Sequence, residues 1–492
     1  MQRLSATDAS FLYAESEDAP MHVGGITLLD LPENYEGTFY ENMLQLAKDR
    51  FGEVGLMRWK AVEQPLNLDY PFWVEVAEED IEWDYHFKLE KLPAPGTSEQ
   101  LHERVCELHM ELLDRNQPLW RVYVFEGLEG GKVAMYNKIH HACMDGQAGV
   151  QMSQVMMDLT PEPRAPFTQE QIEALGFASK TTKHEPNLLS AVIDGVADTI
   201  KRPMFRQLAP LAKVARESIR QMNGGADEDG EAMTPAPRTI FNAEISQKRS
   251  FGAGEMKFAE IKAIRQATGA TINDIVVAAT GGALRRYLAD RGELPNDSLL
   301  CMAPVALEQK EGSANNVSSM VMSFGTDIAD PVERLAAVSA SSKLGKKNFA
   351  KLQDVMDEGD GFRLPARLTK PLVGLMGSKT LATRMPPIAN ATLSNVKGLT
   401  IPIYAAGAQV SAMYPVSIVA HANTLNITVN SYLDKIDIGV LACGEIMADP
   451  QKLVALMEEE ILILKNAALG APATQESDDS TVTAFEEGQR AA

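Results

Sequence analysis

Four cysteines are few for 492 residues, and Cys106, Cys143, Cys301 and Cys443 lie far apart with no C-x-x-C pair. That spacing excludes a disulfide scaffold and a zinc ribbon, and it points to a reducing compartment. Basic residues are also in deficit. Forty-six Lys and Arg against 67 Asp and Glu leave a net charge of −21, the wrong sign for a chain whose main partner is a nucleic acid. The start, Met1 to Asp8, lacks the apolar stretch of a signal peptide. No long hydrophobic run is present either. The nearest, 398–433, carries no charged residue, but Pro402, Gln409, Ser411, Pro415, His421, Asn423 and Asn426 punctuate it. It reads as strands, since a spanning helix needs about 20 predominantly apolar residues. The expectation is a cytoplasmic protein, at most peripheral on a membrane.

What is there is ordinary globular material. Apolar residues make up 45% and charged ones 23%, which rules out a mostly disordered chain, and no short-period repeat appears. Strand and helix signals intersperse throughout, so the fold class is α/β or α+β, in two domains. The first spans 1–165 and ends at the punctuated Thr160–Pro166. A crossover over 166–237 holds helical stretches at 188–200 and 203–222 and a flexible acidic loop at 223–231. The second domain spans 238–470, with helices expected at 255–268, 275–288 and 451–466 and strands at 299–305 and 425–429. Thr271-Ile272-Asn273-Asp274 has capping-box spacing before the second of those helices. Residues 471–492, with five acids and one Arg, read as a disordered tail.

The segment that carries chemistry is His140-His141-Ala142-Cys143-Met144-Asp145-Gly146. It closes an expected strand, 132–141, in which Val133, Met135, Asn137, Ile139 and His141 share one mostly apolar side at period two. Asp145–Leu159 follows as a helix, with Gly146 permitting the tight turn between them. Three readings of the pair stay open on the residues alone. One is structural, with one ring buried and one solvated. One is a metal site of two His and an Asp, although adjacent strand residues point to opposite faces and zinc needs three or four convergent ligands. In the third, one His is a general base, the task imidazole suits best near neutral pH.

The whole pattern H-H-x-x-x-D-G on strand, turn and helix is similar to the signature of the acyltransferases typified by chloramphenicol acetyltransferase, condensation domains and plant BAHD enzymes. More closely, the chain resembles the bacterial wax ester synthase/diacylglycerol acyltransferase family. The resemblance is carried in order by Leu4–Phe11, Pro20–Gly25, Pro118-Leu119-Trp120, His140–Gly146, Asn273-Asp274 and Leu393–Gly398. Lys397 stands where the family commonly has proline.

The resemblance implies two chloramphenicol-acetyltransferase-like domains, each a mixed sheet with flanking helices, meeting over a central tunnel. It implies direct acyl transfer from acyl-CoA, a substrate and not a cofactor, to a long-chain alcohol or diacylglycerol, with neither a metal nor an acyl-enzyme. His141 is then the general base, His140 its support, and Asp145 and Gly146 hold the turn. A Cys143 nucleophile is the minor alternative, since no lowered thiol pKa can be inferred from sequence. Rival functions are a condensation-type transferase using carrier-protein thioesters and a non-catalytic protein of lipid-inclusion surfaces.

Around this centre, Asn273 and Asp274 are expected either to cap their helix or to line the tunnel, and Ser394 and Asn395 to meet substrate or satisfy a turn. Ala389 and Ala391 are expected to shape an acceptor channel, and Trp120 to pack in the core or stack on a ligand. Charge is segregated. Lys201–Arg220 holds six basic residues and one acid, and 361–433 holds Arg363, Arg367, Lys370, Lys379, Arg384 and Lys397 with no acid at all. Such segments suit an anionic lipid surface, the phosphates of coenzyme A, or pairing with acidic surface elsewhere.

Overall fold

The computed structural model describes residues 2–51, 55–64, 69–143, 156–168, 170–171, 234–306, 317–357 and 366–470. Asp145 and Gly146, the helices expected at 188–200 and 203–222, the acidic loop and the tail therefore lie outside the described residues.

In chain order the first half forms β1 (Gln2–Arg3), α1 (Ala6–Ala14), β2 (His22–Asp30), α2 (Phe39–Phe51), β3 (Trp59–Val62) and β4 (Phe72–Glu75). It continues with a single turn α3 (Trp83–His86), then β5 (Phe87–Lys91), α4 (Ser98–Met110), β6 (Trp120–Glu126) and β7 (Val133–His140). The second half opens with β8 (Arg249–Lys257), α5 (Phe258–Thr268), α6 (Ile272–Asp290), β9 (Leu300–Ala306), β10 (Val317–Ser323) and α7 (Pro331–Asp357). It closes with α8 (Ala366–Met376), α9 (Lys379–Arg384), β11 (Ala391–Val396), β12 (Tyr404–Ala405), β13 (Ala408–Val416), β14 (Leu425–Tyr432), β15 (Lys435–Cys443) and α10 (Pro450–Gly470).

Two six-stranded mixed sheets organise these elements, in the orders β12-β13-β2-β7-β6-β5 and β10-β9-β11-β14-β15-β8. The second sheet belongs wholly to the second half of the chain. Its β14 alternates as the sequence suggests, with Leu425, Ile427 and Val429 in a core shared with α5, α6 and α10. The Thr271 hydroxyl accepts from the Asp274 backbone N–H, completing the capping box of α6.

The first sheet is not built from the first half alone. β13 pairs antiparallel with β2 from Gln409 opposite Asp30 to Val416 opposite Gly24. Sheet membership thus cuts across any division of the chain near residue 165 or 238, and the domain limits stay a proposal.

Two local expectations are corrected. Residues 255–257 end strand β8 and do not start a helix. Met256 is buried between exposed Glu255 and Lys257, a period of two, and β8 pairs with β15 out to Lys257 opposite Lys435. The strand before the histidines is buried on both faces, not one. β7 lies between β2 and β6; Val133, Met135 and Ile139 pack toward α1 and α2, while Ala134 and Tyr136 pack against α4. Of its residues only Asn137 is exposed. β2 crosses β7 so closely that a Cβ at Gly24 would stand 1.9 Å from the Asn137 carbonyl oxygen, which explains a glycine in a strand interior.

Candidate active site

The His motif begins where β7 stops. Its backbone is held from two directions: the His140 N–H donates to the Leu119 carbonyl (2.9 Å) and the His141 N–H to the Met21 carbonyl (2.8 Å). Leu119, from Pro-Leu-Trp, and Met21, from Pro-Met-His, thus pin consecutive residues of the turn. The chain then turns through Cys143, whose N–H donates to the His140 carbonyl (2.9 Å).

The two rings have different fates. His140 is buried, and its Nδ1 accepts from the Ala142 N–H (3.0 Å). That places its proton on Nε2, which faces Glu15 Oε2 at 3.2 Å. His141 is half-buried at the turn, its ring stacked on Phe11 with centroids 4.0 Å apart and planes 10° from parallel. The rings thus differ in burial, His140 being enclosed and His141 half-buried.

Behind His140 lies a buried polar cluster. His22, opposite His140 across the β2–β7 pair, brings Nε2 to 3.4 Å from the same Glu15 oxygen. The other Glu15 oxygen accepts from Arg115 (2.8 Å). Burial works to raise the Glu15 carboxyl, but its contacts with His140, His22 and Arg115 hold it well below the usual carboxylate range. Burial pushes His22 down to about 4, against the pull of Glu15. His109 accepts from the Tyr136 hydroxyl at Nδ1 (2.6 Å) and donates from Nε2 to the Ser417 carbonyl (3.1 Å). Lys138 donates to the Leu108 and Glu111 carbonyls at the end of α4 (2.6 and 2.7 Å), and burial lowers it to about 7.

Cys143 is buried, and burial followed by the nearby Asp8 pushes its thiol up, away from the thiolate a nucleophile needs. Among the described residues there is no group of three or more His, Cys, Asp or Glu placed to hold a metal ion.

The remaining candidates sit elsewhere. Trp120 is in the core, its indole N–H donating to the Met57 carbonyl (2.7 Å) and its ring stacked on His86 at 4.1 Å. Its surroundings are those of a packed core residue. Asp274 is the buried N3 residue of α6, touched also by the Ser339 hydroxyl (3.3 Å), while Asn273 is half-buried beside it. Ala391 is fully buried in the second core, and Ala389 is buried with its carbonyl accepting from Asn242 (2.9 Å). Ser394 is half-buried and Asn395 exposed at the end of β11.

Glu15, Phe11, His22 and His109 escaped sequence reasoning as site residues. One signal was available. Glu15 follows Phe11 by four positions, one helical turn, so both present to the same side. Further on, Arg50 donates to Asp158 (2.7 Å) and to the Met156 carbonyl (3.0 Å), a buried anchor where the chain returns after the motif.

Two histidines at the end of a central strand, in a molecule built on two six-stranded mixed sheets with flanking helices, define an acyltransferase of the chloramphenicol-acetyltransferase fold. The family model described as the wax ester synthase/diacylglycerol acyltransferase catalytic domain matches residues 4–276, and that of the WS/DGAT C-terminal domain matches 313–465. The chain belongs to the wax ester synthase/diacylglycerol acyltransferase family. It is an enzyme, an acyl-CoA-dependent O-acyltransferase toward alcohol or diacylglycerol.

It is 30% identical over 482 residues to a probable diacylglycerol O-acyltransferase of Mycobacterium tuberculosis, covering 95% of this chain and 99% of the relative. It is also 30% identical over 472 residues to an O-acyltransferase of Acinetobacter baylyi, covering 94% and 97%. The structure of the wax ester synthase/diacylglycerol acyltransferase from Marinobacter aquaeolei superposes with a TM-score of 0.68 at 26% identity, covering 95% of this chain and 99% of that one. The first condensation domain of the CDA synthetase shares the fold alone, with a TM-score of 0.53 at 12% identity.

Proposed function

We propose that His141 is the general base of direct acyl transfer from a fatty acyl-CoA to the hydroxyl of a long-chain alcohol or of diacylglycerol. In this reading the imidazole takes the hydroxyl proton as the oxygen attacks the thioester carbonyl. The tetrahedral oxyanion collapses, the C–S bond breaks, and the thiolate leaves with the proton returned by His141. Asp145 and Gly146 hold the turn, and no residue is acylated. The observation that supports this most is the division of labour between the rings. His140 is spent internally on Ala142 and Glu15, whereas His141 stands half-buried at the strand end.

The test is thiol release from palmitoyl-CoA with and without hexadecanol, comparing the wild type with His141→Ala. Alcohol-dependent release with wax ester as product, reduced about 10²–10⁴-fold in the variant, is expected. Equal release without alcohol would identify a thioesterase, and release undiminished in the variant would remove His141 as the base.

The same reading places the enzyme at an anionic lipid surface. No helix of the described residues is long and apolar enough to cross a membrane. On α8, however, Leu368, Leu372 and Leu375 are exposed at spacings of four and three, while Ala366 and Thr369 are buried. Arg367 lies on α8, and Lys379, Arg384 and Lys397 follow it in a stretch of sequence without an acid, Lys379 being paired with Glu244 (3.0 Å); a basic amphipathic helix suits an anionic interface. α8 rests on α1, the helix that carries Phe11. Binding to phosphatidylserine vesicles is expected to fall with added salt and to weaken in Leu372→Ser/Leu375→Ser; binding insensitive to both would refute the docking face.

A further inference from the structure

Two N-terminal segments singled out in the sequence, Leu4–Phe11 and Pro20–Gly25, precede the His motif by more than a hundred positions, and the reaction as written assigns them nothing. We propose that helix α1 is the positioning element of the acyl transfer, with the Phe11 ring setting the plane of His141 and Glu15, one turn on, anchoring His140 behind it. The inference rests on the general-base reading above.

The geometry supports each half. A general base acts only when its lone pair points at the proton within about 2.6–3.2 Å. With Phe11 lying flat against one face of the His141 ring at 4.0 Å, turning the imidazole out of that plane drives its edge into the phenyl face, so the direction of its nitrogens is set. When the ring takes the proton it becomes a cation on an aromatic face, and that contact strengthens at the moment of transfer. A leucine of similar bulk supplies neither effect.

The second contact keeps the first in register. The Glu15 N–H donates to the Phe11 carbonyl as the C-cap of α1 (3.2 Å), so the two positions move together. Glu15 faces His140, and Arg115 clamps the same helix end through Glu15 (2.8 Å) and the Leu12 carbonyl (2.7 Å). At its other end the capping box of Ser5 and Asp8 and the bond from the Leu4 N–H to the Pro71 carbonyl (2.9 Å) fix where α1 starts. The Met21 carbonyl, just beyond, holds the His141 backbone. α1 and the segment after it therefore grip both histidines through ring, carboxylate and main chain.

Among the described residues, the titratable and charged groups around the turn are Cys143 in the turn itself, Asp8 and Glu15 from α1, Arg115 beside it, His22 from β2, His109 from α4, and Lys138 and His140 from β7. All are untouched by a change at Phe11, which makes pH the discriminating readout. In the full chain, Phe11→Leu is expected to lower kcat about tenfold with KM little changed, the size of a desolvated cation–aromatic contact. The acid limb of kcat/KM is expected to move to lower pH by roughly half a unit to one unit. Phe11→Tyr, which keeps the aromatic face, is expected to stay close to wild type on both measures. Glu15→Gln is expected to lower kcat several-fold at unchanged KM.

Equal losses in Phe11→Leu and Phe11→Tyr, or an acid limb that does not move in Phe11→Leu, would reduce Phe11 to packing and overturn the proposal. If Phe11→Leu does not fold, Phe11→Met is read in its place. His141→Ala separates the two levels. Activity surviving there removes the general base itself, whereas its loss together with an unaltered Phe11→Leu defeats the positioning role alone.

Discussion

The two six-stranded sheets bury their polar groups in different arrangements. In the second, β14 alternates its core residues with a buried amide and hydroxyl, Asn426 and Thr428, which bond to each other (3.0 Å) and to the Ile418 carbonyl (2.9 Å), and its buried charged groups, Asp437 on β15 and Arg249 on β8, stand apart on separate strands. In the first, the interior holds five ionisable groups together at one strand end: Glu15, His22, His109, Lys138 and His140. Amides and hydroxyls are satisfied once and stay so, whereas buried imidazoles and carboxylates tie stability to pH and mark where charge is handled. One sheet serves as scaffold and the other as chemistry, although their strand counts are equal.

That contrast can be broken experimentally. Ile438→Ala, in the fully buried heart of the second sheet, is expected to cost about 2–5 kcal/mol, lowering the melting temperature while leaving kcat per folded molecule unchanged. Gly24→Ala in the first sheet forces a Cβ to 1.9 Å from the Asn137 oxygen. It is expected to cost about 1–3 kcal/mol and, because β2 leads directly from the segment that holds the histidines, to lower kcat as well. A kcat unchanged in Gly24→Ala or reduced in Ile438→Ala would erase the distinction.

Acid should find the first sheet's weakness. Burial holds His22 and His86 near 4 and His109 well below its ordinary value of 6.5. The unfolded chain therefore binds more protons between about 4 and 6.5, and these groups' contribution, complete above about 6.5, is lost as pH falls through that window. Asp437, raised to about 6 by burial, opposes this with a single group. Calorimetry from pH 8 to 4 is expected to show a melting temperature that declines below about 6.5; a flat profile would deny the histidines their neutral burial. The smallest change is expected from Trp120→Phe, which removes the bond to the Met57 carbonyl for about 1 kcal/mol and leaves KM unaltered, as packing and not substrate contact requires.

Much of this architecture was legible in residue patterns because it is local. Period two marked β7 and β14, the Thr271 box marked α6, and the apolar spacing of 451–466 marked α10. Non-local facts were not legible. Nothing near Glu15 announces a partner at His140, and the apolar alternation before His141 hid that Lys138 and His140 are also buried, because a helix covers that face too. Nor could residue type alone say how deeply Trp120 and Ala391 are packed, each into a core assembled from distant parts of the chain.

The crossing of β13 into the first sheet bears on how the molecule is made. The Ser411 hydroxyl reaches the Leu28 carbonyl across 383 positions of chain, and β2 has β13 as its neighbour on the side away from β7. During synthesis, β2 can pair with β7 soon after both emerge, but its other edge waits until most of the chain has left the ribosome. Through that interval the growing protein presents an open strand edge next to its reactive histidines, the kind of edge that recruits other chains. The sheet that carries the chemistry thus stays open until β13, ending at Val416, has emerged, and a product truncated before residue 404 would carry the His motif on an unfinished sheet.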